Sequence, residues 1–275
     1  MKMTKNKGVA FAIVLIVLVF TFWWGGDAPG LRGWDVSGKA QGANIIKSSS
    51  EDETERDGSK SKGEGLSAEE KLKLASSIAK EKFPGKEPGL EEGSEDYSIT
   101  KGMEIDHSTG KDKYLTDPVP EGKPIPVEPQ EIEISSVKQT CKISVSCSTI
   151  LNNIEWLDEE KIELVPEEGV ILPLTEVVFY EGESVFNVLQ REMKRNKIHM
   201  EFENTPMFNS AYIEGINNLY EFDCGELSGW MYKVNGWFPN YGCSRYRLKE
   251  GDVVEWVYTC DLGIDVDGYY STGGE

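Results

Sequence analysis

Apolar and polar positions alternate with the two-residue period of a half-buried strand over Lys142–Ile150, KISVSCSTI, which puts Ile143, Val145 and Cys147 on one face. The same period returns at Trp230–Val234 and at Val253–Tyr258. Shorter runs at Ile171–Tyr180, Ile198–Glu203 and Ala211–Gly215 also read as strands. Between them one stretch switches to a helical period. Ser184 can cap a helix in which Val185, Val188, Leu189 and Met193 share a face, with Lys194, Arg195 and Lys197 in its last turn, where the dipole favours cations. Asn217-Asn218 and Asn235-Gly236 mark turns, the second being the favoured two-residue hairpin type. Strand, strand, helix and a further run of strands predict an α+β fold, one main helix on one mixed sheet, over residues 132–262.

The pattern is different upstream. Residues 1–7 carry Lys2, Lys5 and Lys7, and residues 8–24, GVAFAIVLIVLVFTFWW, are an unbroken apolar run of about 17 residues, close to the thickness of a bilayer core. The positive flank predicts a transmembrane signal anchor with everything after it exported. The protein is then single-pass in the cell membrane with an extracellular C-terminal domain, or secreted if the segment is cleaved. Residues 25–131 lose their apolar content to Gly, Ser, Lys, Glu and Pro and predict a disordered acidic tether. Ser67-Ala-Glu-Glu70 resembles a capping box opening a short helix, and Asp117–Gln130, DPVPEGKPIPVEPQ, reads as an extended proline-rich spacer. Residues 263–275 read as a solvated acidic tail.

Charge narrows the partners. A net charge of -19 argues against nucleic acid, whose phosphates need a cationic face. It leaves neutral or cationic ligands open. No GxSxG, HExxH or P-loop is present, and the only histidines are His107 and His199, so the chain is read as a non-enzyme. Glu214, Asn217, Asn218, Glu221 and Asp223 offer oxygen atoms to a hard cation, but turn formation explains the asparagines as well, and no metal site is expected.

The aromatic residues are the remaining candidates. Trp230, Tyr232 and Trp256 lie in strands and read as core. Trp237, Phe238 and Tyr241 lie in a turn-rich stretch where aromatic rings are harder to bury, and they predict a ligand-binding platform with Asn235, Asn240 and Arg245 as polar contacts.

Four blocks carry a resemblance: Tyr180–Leu189 (YEGESVFNVL), Ile213–Leu219 (IEGINNL), Ser228–Tyr232 with Val234-Asn235-Gly236, and Leu248–Trp256 (LKEGDVVEW). Together they resemble the transcobalamin-like C-terminal domain of exported bacterial proteins, DUF4430. The resemblance implies a β-grasp-like fold and a module for a small ligand, a corrinoid such as cobalamin being the suspected one. The alternative is an adhesion module that docks a cell-surface protein or wall polymer through its aromatic face. Cys224 and Cys243 bracket the hairpin, which suits a disulfide. The neighbouring first and last strands that a β-grasp implies would bring Cys147 to Cys260. Buried free thiols are the other reading of the same cysteines.

Overall fold

The computed structural model describes residues 66–71, 73, 74, 77 and 93–268, which all belong to one compact unit spanning residues 56–275. The basic flank at 1–7, the anchor at 8–24 and residues 269–275 of the tail lie outside the described residues. Among the described residues no helix is long and apolar enough to cross a membrane.

The principal sheet has four strands. β1 (Lys138–Ser146) alternates as its sequence demands, with Cys141, Ile143 and Val145 buried on one face. β2 (Val170–Tyr180) runs antiparallel beside it and adds Val177 and Phe179 to that face. The helix α2 (Val185–Asn196) covers the face with Val185, Val188, Leu189 and Met193. Its N-terminus is closed by a reciprocal pair: Asn187 N donates to Ser184 Oγ at 3.3 Å and Ser184 N donates to Asn187 Oδ1 at 2.9 Å. Lys197, left-handed at φ 58, ends it. β7 (Val253–Thr259) returns to lie parallel to β1, with Ile143 opposite Val254 and Val145 opposite Trp256. β6 (Gly229–Val234) closes the order β2-β1-β7-β6 antiparallel to β7.

The single mixed sheet is corrected to two sheets. β3 (Met200–Thr205), β4 (Ser210–Ile216) and the two-residue β5 (Leu219–Tyr220) pair only among themselves. The cause is local. Asn217 and Asn218 both take positive φ, 57 and 59, which folds β5 straight back onto β4. Gly215 permits it, since a Cβ there would meet the Tyr220 ring at 2.7 Å. The Asn235-Gly236 turn also forms, at φ 54 and 77, but its returning arm is one residue long, the Val234–Trp237 bridge. Pro239 has no N–H to extend that ladder.

The disordered-tether expectation fails for the described residues between 93 and 131. The short helix α1 (Glu95–Thr100), capped by Ser94, is held by Val119, whose N donates to Ser98 Oγ at 2.9 Å and whose carbonyl accepts from Ser94 N at 3.0 Å. Val119 itself is fully buried in the main core. Residues 68–71 are helical, with the predicted box in place: Ser67 N donates to Glu70 Oε2 at 2.9 Å. The start of the acidic tail is also folded, as Asp265 accepts from Cys260 N at 2.8 Å and from Thr259 Oγ1. In each case a few apolar or capping residues found partners across a tight turn or 21 and more positions away, which a window of low mean hydropathy conceals.

The predicted disulfides are absent. All five cysteines are buried free thiols, and Cys243 lies in the main core while Cys224 lies with Cys147 and Cys260 in a second one. The Cys224–Cys243 and Cys147–Cys260 pairings are therefore corrected. Burial pushes the thiols of Cys141, Cys147 and Cys243 up to about 12. A folded pKa above the unfolded value leaves stability intact below pH 9 and removes it as pH climbs from 9 toward 12. Each such thiol then weakens folding by about 1.4 kcal/mol per pH unit. The expected result is a flat melting temperature from pH 7 to 9 and a steep fall above it, with reactivity toward a chromogenic disulfide appearing only as the protein melts. A melting temperature unchanged at pH 10.5 would contradict this burial.

Candidate functional site

The turn-rich stretch after β6 does not present its rings to solvent. Trp237 is 9% exposed, Phe238 5% and Tyr241 7%. Tyr241 stacks on Tyr246 at 6.1 Å and meets Trp237 edge-on at 6.0 Å, and Tyr232 donates its hydroxyl to the Tyr241 carbonyl at 2.7 Å. Burial raises the hydroxyl pKa of Tyr232 and Tyr241 well above the phenolic value.

The cover is the proline-rich segment read from sequence as a spacer. It is bound through its backbone carbonyls. Asn240 Nδ2 donates to the carbonyls of Asp117 and Pro118 at 3.0 and 3.3 Å, and Tyr241 donates its hydroxyl to the Pro124 carbonyl at 2.7 Å. The Lys123 ammonium sits 5.6 Å from the centre of the Trp237 ring, and Ile125 packs on the core beside it.

Arg245 completes the attachment. It stands in the 3-10 turn Cys243–Arg245 and is 1% exposed. Its guanidinium donates to Asp112 Oδ2 at 2.7 Å, Glu128 Oε1 at 3.1 Å, Thr116 Oγ1 at 2.7 Å and the Val127 carbonyl at 3.4 Å. The Tyr114 ring lies 4.9 Å from its central carbon. Asp112 is itself preset, because its Oδ1 accepts from the backbone N of Tyr114 and Thr116, both at 2.8 Å.

Four of the six residues predicted from sequence, Trp237, Asn240, Tyr241 and Arg245, thus come together, beneath a strand of the same chain. The other two do not join them. Asn235 braces its turn, donating to Asp252 Oδ1 at 2.8 Å and accepting from Val253 N at 2.9 Å. Phe238 lies against Gly268, where a Cβ would meet its ring at 2.7 Å, with Lys233 at 6.0 Å from its centre. Asp112, Thr116 and Glu128 were missed. The aspartate-led turn DKYLT was the available signal for the first two.

The carboxylates considered for a cation each have a protein partner, although the buried Glu221 Oε2 itself has none. Lys71 donates to Glu214 Oε1 at 2.9 Å and to Glu221 Oε1, and the Ala68 N–H donates to Glu203 Oε2 at 2.9 Å. Asp223 receives Lys161 and the Tyr220 N–H, and Asn217 Nδ2 donates to the Leu164 carbonyl. Among the described residues no cluster of three or more metal-ligating side chains exists. Burial holds the Glu221 carboxyl above its ordinary range, against the pull of Lys71. Lys71, desolvated too but facing two carboxylates, is held above the usual ammonium value.

A shallow groove of about 260 Å³ lies where this strand leaves the domain, bounded by Val127, Ile132, Ile134, Phe186, Ser244 and Arg247. It is smaller than the roughly 300–1,000 Å³ of ordinary ligand pockets.

With this geometry in hand, residues 182–260, from the β2–α2 turn to the end of β7, match the family described as "Domain of unknown function (DUF4430)". No curated protein matches the chain. Among solved structures, haptocorrin in complex with Cbi is 16% identical, with a TM-score of 0.34 over 46% of this chain and 26% of that one. A "putative metal binding protein" from Ruminococcus gnavus ATCC 29149 is 15% identical, with a TM-score of 0.26 over 44% of this chain and 96% of its own. The chain therefore spans about a quarter of the haptocorrin length.

Proposed function

We propose that the chain is a non-enzymatic, extracytoplasmic binding module, anchored through its N-terminal apolar run, whose binding face is the buried aromatic surface of Trp237, Asn240, Tyr241 and Arg245. Its ligand class is an extended, proline-rich polypeptide strand, and residues 112–128 occupy the face in cis. The observation that carries this reading is the way the strand is held: the Asn240 amide, the Tyr241 hydroxyl and Arg245 all reach its backbone carbonyls, at Asp117, Pro118, Pro124 and Val127. Proline-rich segments dock on aromatic-lined grooves in this manner because they are preset in an extended form and lose little entropy on binding. The suspected corrinoid has less support, since Trp237 and Tyr241 are covered by the chain's own strand.

A cut chain tests it. With a protease site inserted at Glu131, cleavage leaves residues 1–131 attached to the remainder by docking alone. Separated halves that recombine with a saturable dissociation constant, weakened severalfold when Asn240→Ala and Tyr241→Phe are combined, support the strand-binding reading. A 132–275 half that aggregates, or halves that never recombine, reduce the strand to ordinary core and overturn it. Recombination blocked by cobinamide, with a shift in its visible spectrum, would move the site to a corrinoid.

A further inference from the structure

The two ends of the docked strand meet at one side chain. Asp112 and Glu128, at its opposite ends, both accept from Arg245 Nη2, at 2.7 and 3.1 Å. Between them the chain turns back on itself, with Lys123 N donating to the Pro120 carbonyl at 3.1 Å and Gly122 at φ 84, the position of such a turn that favours glycine. Glu121 and Gly122 at the tip are exposed, and a Cβ on Gly122 would meet nothing within 4 Å. The segment is therefore two arms closed at the neck by a guanidinium. Each arm has its own hold. On the first, Thr116 Oγ1 accepts from Arg245 Nη1 at 2.7 Å, and the fully buried Val119 donates its N–H to Ser98 Oγ at 2.9 Å. On the second, Val127 N donates to the Arg245 carbonyl at 2.9 Å while the Val127 carbonyl accepts from Arg245 Nε at 3.4 Å. Glu128 is oriented further by Asn209, whose Nδ2 donates to its Oε2 at 2.6 Å.

We infer that the face reads a proline-rich loop with an acidic residue at each end of its neck, and that Arg245, by bonding both acids at once, selects closed loops over strands that run through. This rests on the strand-binding reading above and narrows its ligand. The reason lies in the donors of a guanidinium. Its four hydrogen bonds here are divided between the two arms, Asp112 and Thr116 on one, Val127 and Glu128 on the other. A ligand with one arm alone would leave buried N–H groups unpaired beside a single carboxylate. The chain's own loop is the occupant in cis. A competitor must bring the same neck acids, an apolar residue where Val119 enters the core, and a turn that points away from the face.

Hydrogen–deuterium exchange on the intact protein tests this, with the Val119 amide reporting the first arm, the Val127 amide the second and the α2 amides the domain. Both arm amides are expected to exchange faster than α2, through a local opening of the loop. Asp112→Asn and Glu128→Gln should each speed both arm amides by roughly tenfold, since either change loosens the shared neck. A Gly-Ser pair inserted between Glu121 and Gly122 should change the same rates by less than about threefold, because lengthening an exposed loop costs little. Substitutions that speed only the arm in which they lie, or an insertion at the tip as damaging as the loss of an acid, would overturn the closed loop and leave the strand-binding reading standing. Arm amides that exchange only at the rate of α2 would overturn both, as the loop would then open only when the whole domain unfolds.

Discussion

Arg245→Met is expected to lower the melting temperature by roughly 10 °C and to open residues 112–131 to proteolysis. The side chain is 1% exposed, and its removal strips four side-chain hydrogen bonds from a strand otherwise held by Asn240, Tyr241, Asn209 and the Val127 N–H on the Arg245 carbonyl. Methionine fills most of the volume, so the dominant loss is electrostatic. The Asp112 carboxylate, 7% exposed, is left in a buried place with only its two backbone donors, and Glu128 exchanges a guanidinium for neutral donors alone, Asn209 Nδ2 among them. Removing one member of a buried ion pair costs about 3–5 kcal/mol, whereas replacing both members with apolar groups is often close to neutral. Arg245→Met combined with Asp112→Leu should therefore be less damaged than Arg245→Met alone. Urea unfolding of the two single variants and the double variant closes the cycle. Additive losses, or a single variant that melts with the parent, would show that the cluster does not hold the strand.

The second large effect is expected at Lys71, with a dependence on pH that a simple loss of packing would lack. Lys71→Met leaves Glu221, whose side chain is 5% exposed, without the ammonium that neutralises it, and weakens Glu214 as well. At pH 7.5 the cost is expected to be about 3 kcal/mol, capped by the free energy with which the helical residues from 68 onward dock, since undocking lets water reach both acids. The Glu221 carboxyl is already raised by burial, and without Lys71 it rises further. A raised folded pKa contributes stability at low pH that is lost as pH climbs through it. The deficit of the variant should shrink on going from pH 7.5 to pH 5, as Glu221 takes up a proton. Trypsin and glutamyl protease digestion near residues 66–92, followed at both pH values, reads the undocking directly. Equal rates for parent and variant at pH 7.5 would sink the latch.

Much of the domain was legible in order along the chain. The Ser184 cap, the apolar face from Val185 to Met193 and the cationic last turn predicted α2 to within a residue of its observed bounds. Alternation located β1, β6 and β7, and the asparagine-led turns at 217–218 and 235–236 formed with positive φ. The predicted strand at Lys142–Ile150 ran past the true end at Ser146, because a 3-10 turn over Ser148–Asn152 keeps Ile150 buried without strand geometry. The site was half legible. Trp237, Asn240, Tyr241 and Arg245 were picked as a group, and they do lie together, but as the floor under a strand that composition had assigned to a tether.

The sequence by itself determined the local elements, because caps, periodicity and turn residues act over a few positions. It also determined that no metal-ligating or catalytic motif of the usual spacing is present. Only the tertiary structure decided which strands share a sheet and where Arg245 finds Asp112 and Glu128. The Arg245 pairings join residues more than a hundred positions apart, and their energy comes from burying a few side chains such as Val119 and Arg245 in places the chain supplies only when folded. Average composition cannot report this, since one fully buried valine and one satisfied arginine are enough to pin down a segment that is otherwise polar, proline-rich and acidic.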